Sequence, residues 1–503
     1  MTMLIATDPS TGEVVREVPA ATPGEVDATL AAVEEARAPW RDLGLDGRAE
    51  VLHAVAADLR ARADELAPLM TQEMGKPITE ALGEVEKAAW CAEHYAEHAA
   101  AYLETEEIAS DATRSYVQHL PLGTVLGVLP WNAPFWLALR FAAPALMAGN
   151  TGVLKHDPHV PGCAEAIGDV FARALSATGA PPGAFRNLPL ATEDVAAVIR
   201  DRRVQAVSFT GSSRGGSAVA SVAAAEIKPA VLELGGSDPS IVLADADLDA
   251  AADTLALSRI INAGQSCIAA KRIVVEDAVH DALVDRLAGR LAALKVGDPR
   301  DPATQVGPIA RADLRENLHR QVTQTAAAGA RLLLGGELPD GPGWFYPPTL
   351  LDDVADDMTA ACEETFGPVM AVLRAADADE ALETANRTEY GLAASVWTTA
   401  ERGEAMARQI AAGQVSVNGI VKTDPRLPSG GVKRSGYGRE LGPHGIKEFV
   451  NVQQVWVGPA HSTVAKLGCG GWLYAVFCHA TASRYCRSSM SDGCAMSVGM
   501  SVE

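Results

Sequence analysis

Gly152-Val153-Leu154-Lys155 opens the run that decides the architecture. A helical pattern over 161–178 follows it, then a strand-like Ala184 to Leu190 and a helix over 192–200. Val204 to Phe209 reads as the next strand, and another helix starts near Gly215. Short apolar strands alternating with helices predict a parallel, doubly wound sheet. A second α/β unit runs from Val231 to about Asn418, with strands near Ser240-Ile241-Val242-Leu243, Arg272 to Val275, Arg331 to Leu334 and Val369 to Leu373. Helices near 277–294, 311–328 and 377–386 separate them. Upstream, Leu30, Val33, Val51, Leu52, Val55 and Leu59 recur at helical spacing from Pro23 to about Leu103. Gly75-Lys76-Pro77 interrupts that run, and Lys76 reads as a solvated or capping lysine. Val117 to Val128 reads as extended, with a turn at Pro121 and Gly123.

The chemistry sits on the turns. Asn262-Ala263-Gly264-Gln265-Ser266-Cys267-Ile268-Ala269-Ala270 places a cysteine on small residues between a helix and a strand. A nucleophilic thiolate needs that access, although a lone cysteine is more often an inert core residue. Val231-Leu232-Glu233-Leu234-Gly235-Gly236 places a carboxylate at an apolar strand end. Burial there raises its pKa toward the range of a general base, and a strand-end salt bridge is the plainer alternative. In Leu129-Pro130-Trp131-Asn132-Ala133-Pro134 two prolines pin a turn from which the Asn132 amide can point at an oxyanion. Taken alone, that turn is only a turn.

Together these stretches resemble the aldehyde dehydrogenase superfamily, over about residues 5–457. Phe209-Thr210-Gly211-Ser212, Glu363-Glu364-Thr365-Phe366-Gly367-Pro368-Val369 and Ser435-Gly436-Tyr437-Gly438-Arg439-Glu440 complete the six ordered motifs. The resemblance implies two doubly wound α/β domains plus a small β oligomerisation element. The cofactor-binding domain is expected at 1–112 and 129–230, with 424–445 returning to it, and the catalytic domain at 231–423. Oligomerisation strands are expected at 113–128 and 446–458, in a homodimer or homotetramer.

The resemblance further implies NAD(P)-dependent oxidation of an aldehyde to an acid, with Cys267 as nucleophile, Glu233 as base for water and Asn132 as oxyanion donor. Pro130, Trp131, Lys155, Gly211, Ser212, Leu234, Glu364 and Phe366 are the expected cofactor contacts. The Gly211–Gly216 loop is not a G-x-G-x-x-G fingerprint, Lys155 can equally cap its strand, and Glu363-Glu364 alone reads as a solvated acidic pair. NAD is the expected cofactor, with NADP possible. Asp157 would repel a 2′-phosphate, and Pro158, where NADP-using relatives have serine, donates nothing to it.

Within the superfamily, Arg140 to Asn150, Leu154-Lys155-His156 and Asp424-Pro425-Arg426-Leu427-Pro428 resemble the succinate-semialdehyde dehydrogenase group. The resemblance makes Arg140 and Ser429 the expected substrate contacts, with Arg140 on the tunnel wall anchoring a distal carboxylate, against the alternative of a structural salt bridge to a neighbouring acid. Ala133 and Ser429 depart from the aromatic residues usual in that tunnel, which leaves a larger or uncharged aldehyde open. A CoA-acylating enzyme is disfavoured by Glu233, and a catalytically silent relative by the intact Cys267, Glu233 and Asn132.

A net charge of −22 argues against nucleic acid or an anionic membrane as partner. No run of 18 apolar residues is present to span a membrane. The start of the chain lacks a basic region followed by an apolar core, and eight cysteines without a C-x-x-C pair fit free thiols in a reducing cytoplasm. The spacing of Cys469, Cys478, Cys486 and Cys494 lacks the close pairs of a zinc site, and no metal is expected. Residues 459–503, rich in Cys, Ser, Gly and Met, are expected to form a disordered tail.

Overall fold

The computed structural model describes residues 2–458, so the expectation for 459–503 lies outside the described residues. The chain divides into a large unit, Met1–Thr105 with Gln118–Gln453, and a small one built on Glu106–Val117 and the segment from Gln454.

Two parallel sheets organise the large unit. The first has six strands in the order Gly436–Tyr437, Ala230–Glu233, Val204–Thr210, Thr124–Leu129, Thr151–His156 and Phe185–Asn187. All neighbours pair in parallel except Gly436–Tyr437, which runs antiparallel against Ala230–Glu233. Chain order reverses between Thr124–Leu129 and Val204–Thr210. A crevice opens at the carboxyl ends of strands at such a point, where doubly wound sheets bind ligands. The second sheet has seven strands, in the order Arg331–Leu334, Thr349–Asp352, Val369–Ala375, Arg272–Glu276, Pro239–Val242, Ala393–Trp397 and Gln414–Val417. Only its first pair is antiparallel.

Two expected boundaries are corrected. Thr124–Leu129 is not half of an outer hairpin: it is the central strand of the first sheet, with every residue buried. A strand apolar on both faces needs a sheet covered on both sides, which an exposed hairpin cannot provide. Ala230–Glu233, expected to begin the second unit, extends the first sheet beyond Val204–Thr210, and the second sheet begins at Pro239.

Four helices, from Pro23–Asp42 to Ile78–Tyr102, precede the first sheet. Thr22 and Glu25 form a capping box at the first, and Gly75 ends the third in a left-handed conformation. Helix Ile78–Tyr102 buries Ala81, Glu84, Val85, Ala88, Ala89, Cys91 and Ala92, a stripe of small residues at helical spacing. It packs on helix Pro134–Met147, whose residues are all buried. Phe135 and Phe141 of that helix are fully buried, each contributing roughly 1.5–3 kcal/mol.

In the small unit, Glu106–Glu107 runs antiparallel to Tyr116–Val117, and Thr113 N–H donates to Val457 O at 2.9 Å. No helix among the described residues is long and apolar enough to cross a membrane.

Candidate active site

Cys267 lies just before strand Arg272–Glu276, on a loop that the backbone does not favour by itself. Asn262, Ala263 and Gly264 all have left-handed φ, at 56°, 52° and 74°. Two successive non-glycine residues there are strained and must be held by their surroundings. A Cβ on Gly264 would collide with the Gly367 backbone, so only glycine fits. Asn262 N–H donates to Glu80 at 2.7 Å, and the Gln265 N–H and Nε2 both donate to Asn262 O at 3.0 Å. From the other side, the buried Lys271 ammonium donates to Cys267 O at 2.5 Å and Ser266 O at 3.1 Å. Cys267 itself is partly exposed. Burial pushes its thiol up to about 11, against the pull of Arg140 and Lys271.

The Asn132 turn, which leaves the central strand of the first sheet, meets this loop. Asn132 Nδ2 donates to Gln265 O at 3.1 Å, and Asn262 Nδ2 returns a bond to Asn132 O at 2.9 Å. The carboxyl ends of the first sheet thus face the amino ends of the second. Behind the seam, Glu84 Oε1 accepts from Phe135 N–H at 2.9 Å and Trp136 N–H at 3.1 Å, the open first turn of helix Pro134–Met147. Glu84 Oε2 pairs with Lys76. Lys76, expected in solvent, is therefore corrected: it is buried, because an isolated Glu84 carboxylate would be too costly there. Glu80, one turn before Glu84, is held at about 7, chiefly by burial. Sequence reasoning assigned no role to Glu80, Glu84, Asn262 or Lys271. One signal was available, since Glu84 interrupts the alanine stripe of its own helix.

Glu233 ends its strand with 3% of its surface exposed, and its Oε1 has no hydrogen-bond partner among the described residues. Burial raises its carboxyl to about 8, with Arg140 opposing and Glu440 adding to the rise. Arg140, equally buried, pairs through Nε with Glu440 and lies 3.9 Å from Glu233 through Nη2. The salt bridge weighed against a carboxylate anchor at Arg140 is present, to Glu440. Two buried carboxylates already claim that charge. Ser429 is 2% exposed, exchanges backbone hydrogen bonds with Glu440, and accepts from Gln414 at 3.1 Å. Structure thus brings Arg140 and Ser429 to Glu233 by way of Glu440.

The expected cofactor contacts gather at the same seam. Pro130 and Trp131 follow Thr124–Leu129, Lys155 lies in Thr151–His156, Gly211 and Ser212 follow Val204–Thr210, and Leu234 follows Ala230–Glu233. Ser212 caps helix Ser213–Ala225 by accepting from Gly215 N–H. Lys155 is 4% exposed, and burial lowers its pKa. Glu364 accepts from Gly236 N–H at 3.1 Å and stands 3.6 Å from Lys271, so it is no solvated acid. A Cβ on Gly235 would overlap the Glu364 carboxylate. Trp131 and Phe366 meet edge to face, with centroids 5.8 Å apart. A buried ammonium, a capped helix start, a half-buried carboxylate and an aromatic pair along one crevice fit a dinucleotide.

Residues 2–455 match the model of the aldehyde dehydrogenase family. Succinate-semialdehyde dehydrogenase [NADP(+)] 1 of Mycobacterium tuberculosis is 49% identical over 90% of this chain and all of its own length. Succinic semialdehyde dehydrogenase of Streptococcus pyogenes, solved with NADP+ as the cofactor, superposes with a TM-score of 0.88 at 36% identity, covering 90% of this chain and 100% of its own. NAD-dependent aldehyde dehydrogenase of Sinorhizobium meliloti gives 0.88 at 37%, covering 92% of each chain.

Proposed function

The chain belongs to the aldehyde dehydrogenase family and is an NAD(P)-dependent oxidoreductase acting on aldehydes; from that premise we propose that its substrate is an ω-oxo acid such as succinic semialdehyde, oxidised to the dicarboxylic acid. Convergence of Cys267, Glu233 and Asn132 on one seam carries the mechanistic reading. The relatives' names support the substrate.

In this reading the Cys267 thiol loses its proton to solvent water, the sulfur forms a bond to the aldehyde carbon, and the C=O π pair moves onto the oxygen, making the thiohemiacetal as its oxyanion. Charge that develops on the carbonyl oxygen is met by the free Asn132 amide hydrogen and the Cys267 N–H. When bound, the nicotinamide supplies the redox chemistry by accepting a hydride from the tetrahedral carbon, which leaves a thioester on Cys267. Glu233 as carboxylate then takes a proton from water while the water oxygen attacks the thioester carbon. The C–S bond breaks, releasing the acid and the Cys267 thiolate. Lys155, Ser212, Glu364, Trp131 and Phe366 would hold the dinucleotide.

Between the two dinucleotides, the local residues favour NAD. Burial alone would raise the Asp157 carboxyl, but the His159 ring, 2.7 Å away, holds it below its usual value. A charged Asp157 beside Pro158 offers a 2′-phosphate repulsion and no donor. We also read the chain as a homo-oligomer, since Val452, Trp456 and Val457 expose apolar surface on the last described strand. Cys91, Cys163 and Cys267 as free thiols suit a reducing cytoplasm.

A panel of aldehydes with and without a distal carboxylate, run separately with NAD and NADP, tests the reading. Equal kcat/KM for succinic semialdehyde and butanal would reject the ω-oxo acid. Equal activity of Cys267→Ala would reject the mechanism.

A further inference from the structure

Helix Ile78–Tyr102 brings two carboxylates, one turn apart, to the two sides of the Asn132 turn. Glu84 grips the chain after Asn132, through the Phe135 and Trp136 N–H groups. Glu80 reaches across the seam instead and accepts from Asn262 N–H at 2.7 Å. Among the described residues its side chain makes no other hydrogen bond and no ion pair, since Lys76 pairs with Glu84. Asn262 donates in turn through Nδ2 to Asn132 O at 2.9 Å and to Gln265 O at 3.1 Å. Asn132 Nδ2 donates to that same Gln265 O at 3.1 Å. Asn132, Asn262 and Gln265 thus form a closed ring of bonds. One hydrogen of the Asn132 amide is spent on Gln265, and the direction of the other follows from the ring.

That ring rests on backbone that does not hold itself. Asn262 and Ala263, at φ of 56° and 52°, occupy a region that side-chain-bearing residues leave unless their surroundings fix them. Several bonds brace the rest of the turn. Gln265 donates to Asn262 O at 3.0 Å, Arg259 Nη2 donates to Gly264 O at 2.5 Å, and Ala310 N–H holds the Gln265 side chain at 2.8 Å. None of them meets the Asn262 N–H. Asn262 is 4% exposed, so without Glu80 a buried donor would stand unsatisfied at the start of a strained turn.

We propose that Glu80 is a positioning residue for aldehyde oxidation: by holding the Asn262 N–H it fixes the Asn132 amide that meets the oxyanion. The assignment rests on the role given to Asn132 above and is independent of the aldehyde's distal group. Glu80 acts only through Asn262. Its effect therefore belongs in the step that builds charge on the carbonyl oxygen, and not in KM.

Wild type, Glu80→Leu, Glu80→Gln, Asn132→Ala and the double variant Glu80→Leu/Asn132→Ala, each loaded with dinucleotide, are compared on butanal and on succinic semialdehyde. Stopped-flow absorbance follows reduced dinucleotide in a single turnover, with KM, dinucleotide Kd and Tm measured beside it. Asn132→Ala is expected to slow the single turnover roughly 100- to 1000-fold. Glu80→Leu should slow it roughly 10- to 100-fold, alike on both aldehydes, with KM and Kd within about twofold of wild type. Glu80→Gln, whose amide oxygen can still accept from Asn262 N–H, should recover most of the rate. In the Asn132→Ala background, Glu80→Leu should change the rate by less than about twofold, because the group it orients is gone. If Glu80→Leu fails to fold, Glu80→Asp takes its place. It keeps the charge but draws the oxygen back by one methylene, with the same loss and the same cancellation expected. Equal losses in both backgrounds, a loss confined to one aldehyde, or a change in Tm alone overturns the assignment. A slow Asn132→Ala beside an unimpaired Glu80→Leu overturns Glu80 alone. An Asn132→Ala enzyme at the wild-type rate sinks the oxyanion reading, and this assignment with it.

Discussion

The ammonium of Lys271 donates to the carbonyl oxygen of Cys267 across 2.5 Å, while standing 3.6 Å from the Glu364 carboxylate. One buried cation therefore lies against both the peptide of the candidate nucleophile and a carboxylate expected to contact the cofactor. Lys271→Met should release the loop and lower kcat by about tenfold or more, given ~1.5–3 kcal/mol for a hydrogen bond to a charged group. Alkylation of Cys267 by iodoacetamide should change in rate as well. Unchanged alkylation and turnover would mean that Lys271 does not position the Cys267 loop.

Glu233→Gln should separate the two halves of the reaction. Thiohemiacetal formation and oxidation need no carboxylate at 233, but hydrolysis does. Stopped-flow absorbance should record one equivalent of reduced dinucleotide, then a stall. Steady turnover at the wild-type rate would assign the base to another residue.

The pH profile follows from the same carboxyl. Burial raises Glu233 to about 8, so at neutral pH most of it is protonated and unable to accept a proton from water. Deacylation should rise with pH through about 8 and level off above it. A rate flat from pH 6 to 9, where hydrolysis limits turnover, would contradict a base so perturbed.

Glu84 should matter for stability before chemistry. Its carboxylate accepts two backbone N–H groups of the Asn132 helix and pairs with buried Lys76. Glu84→Ala strands that lysine and should cost about 3–5 kcal/mol in urea unfolding. Glu84→Gln keeps an acceptor and should cost less. A loss within 1 kcal/mol for Glu84→Ala would mean that water or another group replaces it.

Cofactor choice can be probed at the residue after Asp157. If Pro158 denies a donor to a 2′-phosphate, Pro158→Ser should raise kcat/KM for NADP relative to NAD. An unchanged ratio would place the discrimination elsewhere.

Much of the architecture was written in residue order. Apolar runs such as Val204–Thr210 and Arg272–Glu276 are short, β-branched and bounded by turns, so their strand character is local. Cys267, Glu233 and Asn132 were singled out for a related reason. Each is a reactive type set among glycine, proline or small residues, where neighbouring sequence already limits what the side chain can do.

Pairing and charge compensation were decided by the tertiary structure. Nothing local told that Thr124–Leu129 would lie between Thr151–His156 and Val204–Thr210, because a strand's partners are chosen by surfaces distant in sequence. Lys76 read as solvated, yet Glu84 claims it, and of the two readings weighed for Arg140 the salt bridge is made by Glu440. A charge's environment depends on which carboxylate the fold brings within a few ångströms, and at low dielectric that distance outweighs any preference of the residue itself. Lys87 is the converse: an ordinary helical lysine in sequence, it packs on the Trp136 ring in the fold and forms no ion pair among the described residues.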